Sequence, residues 1–178
     1  MTGPTEPTPA TGPAEPGASI RDRLLALFRD HGATIRLVDH APEGRTELVS
    51  QLRGNELRQA AKAMVVMVKL GKKDRRYFLC VVPGDCRLDM EAVKQLANGT
   101  HVLLAPGDVA AKLTSCVSGA IPPVSFHPDL ELVVDPRLLD NDAIVFNAGC
   151  LEQSMFVDRE AYVRAASPAI ASIGLPSA

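Results

Sequence analysis

"AKAMVVMVKLGKKDRRYFLCVVPG", residues 61–84, decides the fold: two apolar runs rich in β-branched and aromatic residues flank the polar stretch "GKKD" at 71–74. Each run is long enough for a strand, and the short polar joint between them predicts a β-hairpin. Neither run alternates cleanly between apolar and polar residues, so both strands are expected to be buried on both faces. Lys62 breaks the apolar character near the start of the first run. A long cation entering a core strand costs desolvation unless its head reaches a cleft, an anion or the surface. Five more basic residues, Lys69, Lys72, Lys73, Arg75 and Arg76, crowd the tip of the hairpin. There they fit a solvated tip that blocks edge-to-edge aggregation, or a local contact with a phosphate backbone.

On the N-terminal side, Ser19 followed by Ile20, Leu24, Leu25, Leu27 and Phe28 predicts an N-capped amphipathic helix ending near Gly32. "ATIRLVDH" reads as a half-buried strand, and Pro42 with Gly44 breaks the chain after it. Thr46 is expected to cap a second helix, "ELVSQLRG", and Asn55 a third over "ELRQAA". On the C-terminal side, Asp89 caps "MEAVKQLANG", "HVLLA" is a strand, and "PGDVAAKLTS" is a helix that opens on a proline. Then come the strand "LELVVD", the helical turn "PRLLDND", the strands "AIVFNAG" and "SMFVD", and a closing helix "REAYVRAAS". About five helices mixed with six or seven short strands and hairpins make an α+β fold: a mixed, curved, barrel-like sheet flanked by helices.

At 178 residues the chain suits one domain. Its 46% apolar and 22% charged residues are ordinary for a soluble globular protein. No apolar run approaches the roughly 20 residues of a membrane span, so no membrane partner is expected. The first 18 residues hold five prolines and three glycines, no basic residue and no apolar core. That composition excludes a secretory signal and predicts a disordered leader over 1–18, a domain over 19–170 and a C-terminal tail over 171–178, in the cytoplasm. Cys80, Cys86, Cys116 and Cys150 form no CxxC pair and read as reduced thiols. Two of the 21 acidic residues, Glu6 and Glu15, lie in the leader, so the remainder balances the 19 basic ones. No overall field draws in a long polyanion, which leaves contact with a nucleic-acid end.

The common catalytic sets are missing. Ser118 has Cys116 where GxSxG needs its first glycine, and His31, His40, His101 and His127 show no zinc-ligand spacing. Neither GxGxxG nor GxxxxGK[ST] occurs, so no metal or nucleotide cofactor is expected. What stands out is "CVSGAIPPVSF", residues 116–126, where Gly119 permits a positive φ or a close approach and Pro122 and Pro123 stiffen the backbone. Such a loop can aim backbone N–H groups at a carbonyl or oxyanion. The strand end "FNAG", 146–149, adds a side-chain amide at Asn147.

In this order, "AAKAMVV", "VSGAIPP" and "VFNAG" resemble the bacterial YbaK and prolyl-tRNA-synthetase editing-domain superfamily over about residues 20 to 167. The resemblance implies a hydrolase that removes a wrongly attached small amino acid from the terminal adenosine of tRNA. Water attacks the ester, helped by a ribose hydroxyl of the substrate, with neither a protein nucleophile nor a metal. It assigns catalysis to Lys62, which holds the terminal adenosine or its phosphate, and to the backbone at Gly119 in the GxxxP loop from Gly119 to Pro123. It places Ser118, Ala120, Ile121, Pro123, Asn147, Gly149 and Ser154 at the aminoacyl pocket. The connection "HAPEGRTELVSQLRGN" departs from the family pattern, and His40 and Thr46 on it are set near the pocket. Alanine on tRNA(Pro) is the first substrate choice, because Val117, Ala120 and Ile121 would make a small apolar wall. Serine or threonine follow, bonded by Ser118, Asn147 and Ser154, and cysteine stays open. The partners implied are the acceptor end of mischarged tRNA and prolyl-tRNA synthetase or another tRNA-binding protein, with a monomer as default. The competing class is a binding module that uses the same pocket without turnover.

Overall fold

The computed structural model describes residues 17–177, so nearly all of the leader expected over 1–18 lies outside the described residues. In chain order the elements are α1 (Ile20–Asp30), β1 (Ile35–Asp39), α2 (Thr46–Arg53), β2 (Ala61–Lys69), β3 (Arg75–Pro83), β4 (Cys86–Leu88) and α3 (Met90–Leu96). They continue with β5 (His101–Leu104), α4 (Gly107–Thr114), β6 (Leu130–Val134), β7 (Ala143–Asn147), β8 (Gln153–Asp158), α5 (Arg159–Ala166), β9 (Ala169–Ile170) and β10 (Gly174–Pro176).

The hairpin is the centre of the molecule. β2 and β3 pair antiparallel from Ala61 opposite Pro83 to Lys69 opposite Arg75. They form the middle of a five-stranded mixed sheet in the order β5-β2-β3-β6-β9, in which β6 runs parallel to β3. Both faces are covered, which is why the runs are apolar throughout. Val65, Leu79 and Val81 face a core shared with α1, α5 and the three-stranded sheet β1-β8-β7, through Leu24, Phe28, Phe146, Met155 and Tyr162. Val66, Val68, Phe78, Cys80 and Val82 face a second core closed by Val93, Ala97 and Ile173. Burial is incomplete at the start of β2. β5 pairs only with Val66–Lys69, so Lys62, Ala63 and Met64 are half-buried on an uncovered edge.

The α+β class holds, but the sheet does not close into a barrel. The strands resolve into sheets of five, three and two, and the two larger ones meet at a single parallel bridge between Ala60 and Val145. Two predicted caps also differ. Arg45, with no side-chain bond, occupies the cap position of α2, and Thr46 is that helix's first residue. In place of a helix over 56–61 there is a single 3-10 turn, Leu57–Gln59, closed by a reciprocal Glu56–Gln59 capping box. The alanines that would extend it are taken by the Ala60 bridge and the start of β2, so strand pairing outweighs helix propensity. Ser19 and Asp89 cap α1 and α3 as their positions predict. The segment expected as a tail is bound to the fold. β10 pairs with β4, Ile173 is 1% exposed, and Asp135 Oδ2 accepts from the N–H groups of Ile173 and Gly174 at 3.0 and 2.7 Å.

Candidate active site

The glycine–proline loop leaves α4 at Ser115, which caps that helix in the left-handed region with φ 58. Ala120 N–H then donates to Val117 O at 3.1 Å, closing a turn whose third residue is Gly119 at φ 85. That is the conformation a type II turn reserves for glycine. Ser118 and Gly119 are exposed, and their N–H groups have no partner among the described residues. Beyond the turn, Ala120, Pro122 and Pro123 are buried. Tyr162, wholly buried, donates its hydroxyl to Pro123 O at 2.6 Å, and burial pushes its phenol pKa up. The prolines and this bond fix the base of the loop while its tip stays open.

Gly119 lies back to back with Gly44. A Cβ on Gly119 would meet Gly44 Cα at 2.6 Å, a distance no carbon pair tolerates. Asn147 holds the two loops together, its Nδ2 donating to both Glu43 O and Gly119 O at 2.9 Å. Its Oδ1 lies 3.0 Å from Ser154 Oγ and 3.5 Å from Arg53 Nη1. Ser154, itself without exposure, also meets Arg53 Nη1 at 2.9 Å and His40 Nε2 at 2.7 Å. His40 Nδ1–H donates to the Ala41 carbonyl at 2.9 Å, and its Nε2 faces Ser154.

Above this network is a cavity of about 260 Å³ whose walls include Gly44, Thr46, Arg53, Lys62, Gly119 and Asn147. Lys62 is half-buried on the open edge of β2, and its side chain makes no ion pair or hydrogen bond among the described residues. Arg53 is 7% exposed and pairs with no carboxylate there, and burial lowers its pKa to about 10, so it stays charged near neutral pH. Arg45 is different. It pairs with Glu43 at 2.9 Å and holds that carboxyl down at about 2, which cancels its charge at the rim. Two cations without an ion pair and one carboxylate, Glu47, thus line a cavity beside two free amides, and the cations and amides can stabilise negative charge forming on a carbonyl oxygen. On the other side of the loop an apolar groove of about 410 Å³, lined by Met64, Leu104, Ala110 and Val117, shares Ala63, Ser118, Gly119 and Ile121 with the cavity.

Of the residues read from the sequence, Lys62, Gly119, Ser118, Ile121, Asn147 and Thr46 share the cavity wall. Ala120 and Pro123 are buried in the loop's base, and Ser154 and His40 lie beneath Asn147. Gly149, at φ 78, packs on α1, where a Cβ would meet Ile20 Cγ2 at 2.7 Å. Of the expected apolar wall for alanine, Ile121 alone lines the cavity, because Ala120 is buried and Val117, 61% exposed, faces the groove. The basic hairpin tip is seven residues from Lys62 along β2, about 23 Å at roughly 3.3 Å per residue. There Arg76 is tied to Glu131 at 2.7 Å. Among the described residues no three or more His, Cys, Asp or Glu side chains converge as a metal site, and no helix is long and apolar enough to cross a membrane.

Arg53 and Gly44 were missed from the sequence. Arg53 had a signal: with Val49 and Ser50 it falls on the buried stripe of α2, where a cation is out of place. Gly44 read only as a chain breaker.

Comparison with known proteins agrees with this fold. The sequence profile of the aminoacyl-tRNA editing domain family matches residues 40–165. The "Multifunctional Ser/Thr-tRNA deacylase ProXp-y" of Escherichia coli (strain K12) is 40% identical over 153 residues, spanning 85% of this chain and 91% of the relative. The same protein of Escherichia coli O157:H7 matches equally. Among solved structures, hypothetical protein APE2540 superposes with a TM-score of 0.76 at 25% identity, covering 86% of this chain and 99% of the other. A candidate trans-editing enzyme for prolyl tRNA synthetase superposes with a TM-score of 0.70 at 21% identity, covering 89% and 98%, and shares the fold. The fold is that of an aminoacyl-tRNA editing domain. The chain belongs to the aminoacyl-tRNA editing domain family.

Proposed function

We propose that this protein is a trans-acting deacylase that removes serine or threonine from the terminal adenosine of mischarged tRNA. The observation that carries the reading is the cavity's polar lining, in which, among the described residues, Lys62 and Arg53 have no acidic partner and the turn amides of Ser118 and Gly119 are free. The Ser/Thr activity named for the 40% identical relative points to the same substrates.

In this reading water attacks the ester carbonyl, and the 2′-hydroxyl of the terminal ribose takes its proton. The amides of Ser118 and Gly119 stabilise the oxyanion; then the C–O bond breaks, the 2′-hydroxyl passes the proton it took to the departing ribose oxygen, and the amino acid leaves as its carboxylic acid, which loses its proton to solvent. A single such donor is worth about 10²–10³ in rate. Lys62 holds the phosphate of the terminal nucleotide, and the apolar groove beyond the loop takes its adenine ring. The protein works in the cytoplasm. Docking on prolyl-tRNA synthetase or another tRNA-binding protein supplies the grip that a charge-balanced chain lacks.

Alanine is the competing substrate, favoured by the small cavity. Purified protein offered seryl-, threonyl- and alanyl-tRNA separates the two readings. Faster release of serine and threonine supports the proposal; preferred release of alanine, or no release at all, rejects it.

A further inference from the structure

Of the three side chains expected to recognise a hydroxyl in the cavity, Ser118 lies exposed at the loop tip with its hydroxyl unengaged among the described residues, whereas Asn147 and Ser154 are already committed to the network below. Both Asn147 N–H bonds are taken by Glu43 O and Gly119 O, and its oxygen by Ser154 and Arg53. Ser154 is fully buried, its one proton shared between Asn147 Oδ1 and His40 Nε2 and its oxygen accepting from Arg53 Nη1, so it presents nothing to the cavity.

Arg53 does have capacity. Its Nε donates to Asn55 Oδ1 at 2.7 Å, and its Nη1 donates to Ser154 Oγ at 2.9 Å and reaches Asn147 Oδ1 at 3.5 Å. These bonds hold the planar fork in one orientation. Nη2 makes no hydrogen bond among the described residues, although the side chain is 7% exposed and lines the cavity. Nη2 is not sealed from solvent, so it reaches the water of the cavity, and a bound group that displaces that water must replace its acceptor.

We propose that Arg53 is the specificity-determining residue of the site, with Nη2 donating to the side-chain hydroxyl of the bound amino acid. This rests on the serine/threonine reading above. Serine and threonine present an oxygen to Nη2; alanine leaves the donor unpaired and displaces any water that served it. The fork is charged and pre-oriented, so little freedom is lost when the bond forms. Its charge also orients the substrate. Arg53 and Lys62 repel the α-ammonium, which turns instead toward Glu47, a carboxylate on the cavity wall with no ion pair among the described residues. One charge-assisted hydrogen bond corresponds to a serine-over-alanine preference of about 10- to 100-fold.

The test compares kcat/KM on seryl- and alanyl-tRNA, carried on the same tRNA, for the wild type, Arg53→Lys and Asn55→Ala. Arg53→Lys keeps the charge and loses the fork, and is expected to cut the serine-over-alanine ratio by about tenfold or more. Asn55→Ala leaves the Asn147 clamp untouched and frees Nε, so a smaller fall of about threefold is expected. Should Arg53→Lys fail to fold, the Asn55→Ala ratio decides. Equal losses on both substrates, or a wild-type ratio kept in both variants, would overturn the role of Arg53 while the serine/threonine reading stands. A wild type with no preference for serine or threonine over alanine overturns that reading, and the role of Arg53 with it.

Discussion

Replacing Gly119 by alanine tests how the loop is held. Two costs add at this residue. An L-residue at φ 85 pays about 1–2 kcal/mol for left-handed backbone. The new Cβ would also lie 2.6 Å from Gly44 Cα, against the roughly 3.5–4.0 Å at which carbons pack, so the two loops must part by about 1 Å. Their clamp is a single side chain, Asn147, with 2.9 Å bonds to each loop. Losing one of those bonds adds about 1 kcal/mol. The sum is about 2–4 kcal/mol, or a thermal midpoint lowered by roughly 5–15 °C for a domain of this size. Activity should fall further than stability, because an amide displaced by about 1 Å from the oxyanion loses on the order of 10²-fold. Deacylation is measured well below the variant's midpoint, so that unfolding does not enter the rate. Gly44→Ala provides the graded control: its Cβ would sit 3.1 Å from Gly119 Cα and 3.3 Å from Leu151 Cδ2, with no left-handed penalty, so a smaller loss is expected. Ser118→Ala removes an exposed hydroxyl and keeps the amide, so activity should stay within several-fold. Wild-type stability and turnover in Gly119→Ala, or a greater loss in Ser118→Ala, would refute the backbone clamp and return Ser118 to candidacy as a nucleophile.

Lys62→Ala removes a half-buried cation with no partner among the described residues, so the thermal midpoint should move by only a few degrees while kcat/KM on mischarged tRNA falls by about 10²-fold or more; full activity would end its assignment. Gly149→Ala should cost about 1–3 kcal/mol through its positive φ and the overlap with Ile20, and leave the serine-over-alanine ratio as it is; a double variant with Ile20→Ala should recover part of the loss in chemical denaturation, and a changed ratio would place Gly149 at the pocket after all. Burial pushes the Cys80 thiol up to about 12 and Cys116 to about 11, so at pH 8 their thiolate fractions are on the order of 10⁻⁴ and 10⁻³. Brief alkylation of the folded protein followed by mass spectrometry should therefore mark the half-buried Cys150 first, and early modification of Cys80 would contradict the packed second core.

Much of the fold was legible because it is encoded locally. The apolar runs on either side of "GKKD" specify the central hairpin, since strand propensity and a short polar joint act over neighbouring residues. Ser19 and Asp89 announce their helices because a cap bonds an amide three residues away. Gly119 and the two prolines declare a constrained turn for the same reason, and Lys62 is conspicuous inside an apolar run. The local signal failed at Asn55–Ala61, where the bridge from Ala60 to Val145 took residues with helix propensity into a strand. It failed again after residue 170, where nothing in "ASIGLP" reveals that Ile173 closes a core beside Val93. The site depended on tertiary structure most of all. Arg53 reaches Ser154 across 101 positions, Asn147 reaches Glu43 across 104, and the Gly44–Gly119 contact joins two separate loops. The sequence by itself determined which segments become strands, helices and turns, because those choices are settled among near neighbours. Which of their polar groups are used up and which are left facing the cavity was decided only when the folded chain brought distant donors and acceptors together.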